Sequence, residues 1–299
     1  MLTFKKGLLI YNDQAGDDDV EAKLAAIVPA LGKAVKELII LRPDSEDETR
    51  EICENVSGFE LVVIMGGDGT VHQCIDVVSR LDERPLIAIL PGGTSNDFTR
   101  TLGISQNLKQ AVDELVNGKV MAVDVGKEGN QHFINFWGIG LVAQTSENVD
   151  EGQKKSFGPL SYMASTIRTV REAESFSYQI SANGQELTGE AVAIFVLNGS
   201  SLATTPIPIN GISPTDGLLD LLVVKNSNLA TLRELLALRK PKTVNEQLDM
   251  LEYVQANEFW INAPDQRQVD MDGEIYVRHS GHIEVLRGHL NMLVPRTMD

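Results

Sequence analysis

The hydrophobic pattern of the first 120 residues alternates between continuous apolar runs and segments with apolar residues at helical spacing. The continuous runs are typical of strands that are buried on both faces of a parallel sheet. Together with the helical segments they predict an α/β layer, in which ligands bind at the carboxyl ends of the strands. The predicted strands lie at residues 8–11, 38–41, 61–65 and 86–90, and the predicted helices at residues 20–35, 46–56 and 71–81, with a kink expected at Pro29.

Beyond about residue 121 the pattern changes, because strand-like segments follow one another with few helices between them. Asn183-Gly184 separates two of these segments and is a strong signal for a hairpin turn. Only residues 160–173 and 229–239 show helical spacing. The second half is therefore predicted to be a mainly antiparallel sandwich or open barrel. The predicted strands lie at residues 121–126, 132–137, 177–180, 190–197, 218–224, 255–261 and 283–286.

Composition and charge narrow the classes of function. The chain has 299 residues, enough for two domains, with 42% hydrophobic and 23% charged residues. The 26 basic and 42 acidic residues give a formal net charge of −16, which disfavours nucleic acid and anionic membranes as general partners. Apolar runs reach about ten residues, too few for a transmembrane segment. The two cysteines, Cys53 and Cys74, imply no disulfide framework, and a cytoplasmic location is expected.

A glycine-rich loop follows the third predicted strand and precedes a predicted helix. Its three glycines permit positive φ angles and close approach of a ligand to the backbone. N–H groups at the start of the next helix suit a phosphate group. The aspartate in this loop could hold a metal ion, orient a ribose or hydrogen-bond the loop into shape, and a simple helix cap is the alternative. The loop consists of Gly66, Gly67, Asp68, Gly69 and Thr70.

A second loop, Pro-Gly-Gly-Thr-Ser-Asn-Asp-Phe at residues 91–98, follows the fourth predicted strand. Its Ser-Asn pair can cap the next helix, and the Thr94 hydroxyl can donate a hydrogen bond to a phosphate. Helix capping alone does not require Gly92 and Gly93. Because the two loops follow neighbouring strands, a shared nucleotide pocket is the better interpretation.

These loops resemble those of the diacylglycerol kinase catalytic-domain family, in its soluble bacterial lipid-kinase branch. The resemblance covers essentially the whole chain, since four further elements also occur, each at its place in the family's order. The first of them has Asp13 where the family has proline. The four elements are Asn-Asp-Gln-Ala-Gly at residues 12–16, Val-Asp-Val-Gly at 123–126, Asp-Gly-Leu-Leu-Asp at 216–220 and Asp-Met-Asp-Gly-Glu at 270–274.

The resemblance implies ATP-dependent transfer of the γ-phosphoryl group to a lipid hydroxyl, with Mg²⁺ as the cofactor. Such chemistry requires positioning, charge neutralisation and one proton acceptor rather than a covalent nucleophile. It implies that Glu274 is the catalytic base, that Asp124 supports the catalytic magnesium and water network, and that Asp216 holds a second, structural magnesium. The residues implied to bind ATP are Asn12, Gly66, Gly67, Asp68, Gly69, Thr70, Gly92, Gly93, Thr94 and Asn96.

The resemblance also implies a fold and a set of partners. A Rossmann-like, NAD-kinase-like α/β domain at residues 1–123 would be completed by residues 289–299, since the last strand returns to it. Residues 124–288 would form a β-rich, sandwich-like domain for the lipid substrate. Diacylglycerol, converted to phosphatidic acid, is the default substrate, with a sphingoid base, phosphatidylglycerol or a polyprenol as alternatives. The protein would be cytoplasmic and peripheral to the membrane, and a homodimer is left open.

The chain departs from the family's pattern at two lysine positions. Gly16 is followed by Asp17-Asp18-Asp19, and Ser165 stands in the segment after Gly-Pro-x-x-Tyr. Three acids beside a triphosphate would repel it unless they face solvent or bind a cation. The candidates for the missing positive charge are Lys154, Lys155, Arg168 and Arg100.

Alternative interpretations stay open for both function and motifs. An NAD kinase shares the first glycine loop but lacks the second, and a non-catalytic lipid or nucleotide sensor could keep the fold without the lysines.

The Asp-Gly pairs at residues 216–217 and 272–273 are also typical of hairpin turns. The basic cluster Arg239-Lys240-Pro241-Lys242 could dock on an anionic surface, although a simple helix end is the favoured interpretation.

Overall fold

The computed structural model describes residues 2–12, 20–140, 175–226, 229–237 and 249–298. The chain divides into two compact units, the first formed by Met1–Val125 with Arg287–Asp299 and the second by Gly126–Leu286. Several features of the sequence lie outside the described residues. They are the predicted helix at residues 160–173, the acidic run at 17–19, Lys154, Lys155, Ser165, Arg168 and the basic cluster at 239–242.

The first unit is a parallel α/β layer. Its strands pair side by side in the order β4-β3-β1-β2, and the last part of β16 pairs with β4 through Met292 and Ile87. The strands are β1 (Phe4–Tyr11), β2 (Val35–Leu41), β3 (Leu61–Gly66) and β4 (Leu86–Pro91). The helices are α1 (Val20–Ala34), α2 (Glu46–Glu54), α3 (Asp68–Ser79), α4 (Asp97–Thr101) and α5 (Leu108–Val116).

The strands of this layer form where the apolar runs predict them. Every residue of β3 is buried, and so is every residue of β4 after Leu86, because helices cover both faces of a parallel sheet. Helix α2 begins where the Ser45 hydroxyl accepts a hydrogen bond of 3.2 Å from the Glu48 N–H. Helix α3 begins at Asp68, three residues before the predicted start at Val71, so the first glycine loop runs directly into it.

The second unit is built almost entirely from antiparallel strands. They pair in the order β14-β13-β10-β7-β15, and β15 also pairs with β8 and β16. The elements are β5 (Lys119–Glu128), which begins in the first unit, β6 (Gln131–Phe133), β7 (Phe136–Ile139), β8 (Phe176–Ala182), β9 (Gln185–Ala191), β10 (Ala193–Leu197), β11 (Ser201–Leu202), β12 (Thr205–Pro206), β13 (Leu219–Val224), α6 (Leu229–Ala237), β14 (Leu251–Ala256), β15 (Glu258–Met271) and β16 (Glu274–Val294).

The core of this unit is aromatic and aliphatic, with Phe133, Trp137 and Phe259 among its largest fully buried side chains. The predicted fold class, an α/β layer followed by a β-rich domain, is therefore confirmed. The predicted hairpin turn is also confirmed, since Asn183 and Gly184 both have positive φ angles, 52° and 72°.

Three segments that were each predicted as one strand are two strands in the structure. The chain breaks at Ile134 and Asn135, at Val192 and at Asn257, within the segments 132–137, 190–197 and 255–261. Ile134 and Val192 are buried, so the apolar pattern continues across the break and hides it.

Candidate nucleotide and catalytic site

The two glycine loops are in backbone contact at the carboxyl ends of β3 and β4. The Gly92 N–H donates a hydrogen bond of 3.0 Å to the Gly66 carbonyl oxygen. A Cβ atom added to Gly92 would lie 2.6 Å from the Gly66 nitrogen, and one added to Gly93 would lie 2.5 Å from the Gly67 Cα atom. Glycine is therefore required because two backbones meet there.

Asp68 joins the first loop to the helix that follows the second. Its Oδ2 atom accepts a hydrogen bond of 2.9 Å from the Asn96 N–H, and its Oδ1 atom accepts one of 2.8 Å from the Asp97 N–H. Both contacts are at the start of α4, so Asp68 caps that helix from another loop. Of the roles considered for this aspartate, the structure shows the one in which it hydrogen-bonds the loops into shape.

Asn96 holds the second loop in a left-handed conformation. Its φ angle is 50°, a value that asparagine tolerates better than most residues. Its Oδ1 atom accepts a hydrogen bond of 2.9 Å from the Gly93 N–H, and its Nδ2 atom donates one of 2.8 Å to the Gly93 carbonyl oxygen. The Asn96 side chain thus closes the loop on itself, while Thr94 at its tip is exposed.

Asn12, at the end of β1, brings a third segment to the same place. Its backbone N–H donates to the Met65 carbonyl oxygen at 3.1 Å, and its Nδ2 atom donates to the Thr70 hydroxyl at 3.3 Å. The first turn of α3 starts after Gly67, which provides no side-chain cap. A phosphate is the kind of acceptor that suits the N–H groups of such a helix start.

Two cationic side chains donate to carbonyl oxygens of the second loop. Lys23, on α1, places its Nζ atom 3.3 Å from the Gly92 oxygen, and Arg100, on α4, donates from Nε to the Ser95 oxygen at 2.9 Å. The sequence interpretation included Arg100 but missed Lys23. A weak signal was present, because α1 is the first helix after β1 and a lysine in its first turn starts near the carboxyl edge of the sheet.

Asp124 is a buried carboxylate on the part of β5 that belongs to the first unit. It is 1% exposed, and its Oδ1 atom accepts a hydrogen bond of 2.6 Å from the Gly288 N–H near the end of β16. A buried carboxylate needs partners of this kind to offset the loss of hydration.

Glu274 lies in the second unit, as the first residue of β16, and is exposed. It directly follows a two-residue turn in which Asp272 has a φ angle of 55° and Gly273 one of 103°. This Asp-Gly pair is therefore a hairpin turn, and the same turn sets the position of Glu274. The Asp270 Oδ1 atom accepts a hydrogen bond of 2.7 Å from the Gly273 N–H and tightens the turn.

Asp272 fixes that turn to the rest of the second unit. Its carboxylate accepts three hydrogen bonds of 2.8 Å, from the N–H groups of Ile134, Asn135 and Phe136. These donors form the break between β6 and β7 that the sequence pattern concealed. Asp272 is thus a positioning residue for Glu274, and sequence reasoning treated it only as part of a motif.

Asp216 and Asp220 form an acidic pair at the start of β13. Asp216 Oδ1 accepts a hydrogen bond of 2.9 Å from the Leu218 N–H, and Gly217 has a φ angle of 76°, as a turn requires. Asp220 is fully buried, and its Oδ2 atom has no hydrogen-bond partner. Burial raises the pKa of Asp220 to about 6, a shift that a hydrogen bond from the Tyr253 hydroxyl opposes and the Asp216 charge reinforces.

The structure thus brings Asn12, both glycine loops and Asn96 together in the first unit, and Asp124 lies in the same unit. Glu274 and Asp216 belong to the second unit. Among the described residues, no cluster of three or more His, Cys, Asp or Glu side chains is arranged as a ready metal site.

Comparison with known proteins agrees with both units. Residues 6–128 match the model of the diacylglycerol kinase catalytic domain, and residues 137–294 match that of the YegS C-terminal NAD kinase beta sandwich-like domain. A Staphylococcus aureus strain JH9 protein named "Putative lipid kinase" is 32% identical over 97% of each chain.

Two solved structures from Bacillus anthracis strain Sterne resemble the whole chain. The first is the structure of a "putative diacylglycerol kinase", which is 37% identical to this chain with a TM-score of 0.86. The second is that of a diacylglycerol kinase, which is 33% identical with a TM-score of 0.81. Each match covers 100% of both chains. The chain belongs to this family of lipid kinases. Membership implies a kinase that uses ATP and a lipid substrate.

No helix in the described part of the chain is long and apolar enough to cross a membrane.

Proposed function

We propose that this chain is an ATP- and magnesium-dependent lipid kinase that transfers the γ-phosphoryl group of ATP to the free hydroxyl of diacylglycerol, giving phosphatidic acid. The observation that carries the proposal is the junction of the two glycine loops. There the backbones of two loops that each end a parallel strand pack directly together, with no space for a Cβ atom at Gly92 or Gly93. Family membership supplies the class of reaction and of substrate.

The nucleotide would bind to the first unit. Backbone N–H groups of Gly66, Gly67, Gly69 and Thr70 would contact phosphate oxygens, and Thr94, exposed at the tip of its loop, would donate from its hydroxyl. Asn12, Asp68 and Asn96 would hold the loops in the shape that binds ATP, as their hydrogen bonds indicate. These residues position the triphosphate, which is the main requirement of phosphoryl transfer.

Glu274 would be the general base. As the lipid hydroxyl oxygen forms its bond to the γ-phosphorus, the bond from that phosphorus to the ADP oxygen breaks, and the hydroxyl proton passes to the Glu274 carboxylate. The exposed position of Glu274 next to a fixed turn suits this role, because Asp270 holds the Gly273 N–H and Asp272 ties the turn to the segment before β7.

Magnesium is proposed at two places on the basis of the donors present. Asp216 and Asp220 offer hard carboxylate oxygens, and the buried Oδ2 atom of Asp220, which accepts no hydrogen bond, would suit such an ion. Asp124 would support the catalytic ion. When bound, magnesium neutralises the charge that develops on the transferred phosphoryl group.

The two rival functions differ in what supports them. An NAD kinase is disfavoured, since the second glycine loop and the relatives both point to lipid kinases. A non-catalytic sensor keeps one argument, namely that the acidic run at residues 17–19 stands where the family has a lysine.

The test is transfer of label from γ-labelled ATP to a panel of lipids in mixed micelles with Mg²⁺. We expect labelling of diacylglycerol that is lost in Glu274→Gln, while ATP binding is retained. Glu190→Gln, which changes another exposed glutamate of the second unit, is the matched control and should stay active.

Labelling of another lipid hydroxyl would establish the kinase and replace diacylglycerol as the substrate. ATP binding without labelling of any lipid would favour the sensor. Full activity in Glu274→Gln would exclude Glu274 as the base.

A further inference from the structure

We propose that Lys23 is the residue that neutralises the phosphates of ATP in this chain. The inference rests on the proposed nucleotide site and adds a residue that no motif of the family contains. It concerns which side chain supplies a charge that the sequence around Gly16 lacks.

The position of Lys23 is fixed relative to the loops. Helix α1 begins at Val20, so Lys23 lies in its first turn, and its Nζ atom is 3.3 Å from the Gly92 carbonyl oxygen. Gly92 itself donates from its backbone N–H to the Gly66 oxygen. The ammonium group therefore lies beside the point where the two loops meet, with its side chain partly buried.

The motif segments of the proposed nucleotide site supply no cation of their own. Residues 12–19, 66–70 and 91–98 contain no lysine or arginine, and they contain Asp68 and Asp97 in addition to the four aspartates at positions 13 and 17–19. ATP adds further negative charge. Because like charges at short range raise the free energy of a complex, an ammonium group beside the loop junction would favour a bound triphosphate.

Arg100 is less well placed for this task. Its Nε atom donates to the Ser95 oxygen and not to Gly92, the residue that contacts the first loop. Lysine carries a compact charge with three N–H donors, and the Gly92 oxygen accepts from one of them. The same ammonium can therefore bind the loop and a phosphate oxygen together.

The competing explanation is that Lys23 only ties α1 to the second loop. The two explanations predict different responses to the number of phosphates on the ligand. A phosphate-binding cation should matter most for ATP, less for ADP and least for AMP, whereas a purely structural tie should matter equally for all three.

Titration calorimetry with Mg·ATP, ADP and AMP tests the inference with two variants. Lys23→Met removes the ammonium, and Lys23→Gln removes the charge but keeps an N–H donor for the Gly92 oxygen. We expect both to weaken ATP binding by about tenfold or more, which corresponds to about 1.4 kcal/mol, while AMP binding changes little. Lys33→Met, at the last turn of the same helix, is the matched control and should bind like the wild type.

Lys23→Arg should recover most of the affinity, because it restores the charge. Unchanged ATP binding in Lys23→Gln, or an equal loss for all three nucleotides in both variants, would overturn the role of Lys23 and leave the proposed function intact. Absence of nucleotide binding in the wild type would instead overturn the proposed function, and with it this inference.

Discussion

Asp68 shows that one carboxylate can be structural in a loop where its motif suggests a ligand contact. Two backbone N–H groups, from Asn96 and Asp97, donate to its two oxygens. Hydrogen bonds to an ionised acceptor are among the stronger ones in proteins, so removal of this side chain would loosen both loops at once. Loss of activity in an Asp68 variant would therefore not prove contact with ATP, and Glu274→Gln is the sharper test of catalysis.

Asp220 leads to a prediction about pH. Burial raises its pKa from 3.8 to about 6, so the folded state retains a proton that the unfolded state has already released between those values. Ionisation of Asp220 thus costs the folded state no stability below about pH 4. The cost grows as the pH rises from about 4 through about 6, and it is fully present above that range. Asp220→Asn should remove this cost, about 1–3 kcal/mol, and should keep an acceptor for the Tyr253 hydroxyl.

Denaturant unfolding of the wild type and Asp220→Asn in EDTA measures the effect. The stability advantage of the variant should be small near pH 4 and reach its full size above pH 7, whereas Asp82→Asn, at an exposed acid, should show no such trend. Added Mg²⁺ should shrink the advantage at pH 7 if Asp216 and Asp220 bind the ion. An advantage that does not vary with pH would contradict the raised pKa.

The roles of Asp272 and Lys23 were not found from the sequence, and the physical reason is the same for both. Asp272 receives its N–H donors from residues 136 to 138 positions earlier, and Lys23 reaches an oxygen 69 positions away. Local spacing carries no information about such contacts. The motifs that contain Glu274 and the glycine loops are continuous in the chain, so they could be located from the sequence, and the roles of these residues stay predictions.

Among the elements, the parallel strands were predictable and the antiparallel breaks were not. Strands such as β3 and β4 are buried on both faces, so uninterrupted apolar runs mark them, and a glycine or proline marks their ends. In the second unit the chain turns from β9 into β10 at Val192, which is itself buried. A turn made at a buried apolar residue leaves no polar signal in the sequence.

The junction of the glycine loops makes a prediction for two glycine variants. Gly92→Ala would place a Cβ atom 2.6 Å from the Gly66 nitrogen, a backbone atom that cannot rotate away. The loops would have to separate, at a cost of about 1–3 kcal/mol in stability, and ATP binding should be lost. Gly32→Ala, within α1, meets no atom within 4 Å and should instead stabilise the protein by about 0.5–1 kcal/mol.

Thermal unfolding and ATP titration of these two variants provide the measurement. Gly32→Ala is the matched control, since it makes the same chemical change in the same unit. Wild-type ATP affinity in Gly92→Ala would show that the contact between the loops is not needed for the nucleotide site.

For the whole molecule, the net charge of −16 has to be reconciled with the proposed substrate, diacylglycerol, which is a lipid of membranes. A protein of this charge is repelled by an anionic surface over roughly a Debye length, about 10 Å at 0.1 M salt. The densest cluster of charge of the opposite sign in the sequence is Arg239-Lys240-Pro241-Lys242. We expect the total charge to dominate, since a cation-rich helix end followed by proline has an ordinary explanation in helix termination.

Vesicle sedimentation tests this balance. Binding to phosphatidylglycerol-containing vesicles should strengthen as salt rises from about 0.02 to 0.3 M, because screening weakens the repulsion, and binding to phosphatidylcholine vesicles should hardly change. Replacing Arg239 and Lys240 by glutamine should have little effect. If binding to the anionic vesicles instead falls with salt, and falls further in that double variant, the basic cluster is the docking surface. The local charge of that segment would then outweigh the charge of the whole chain, and membrane contact would be electrostatic.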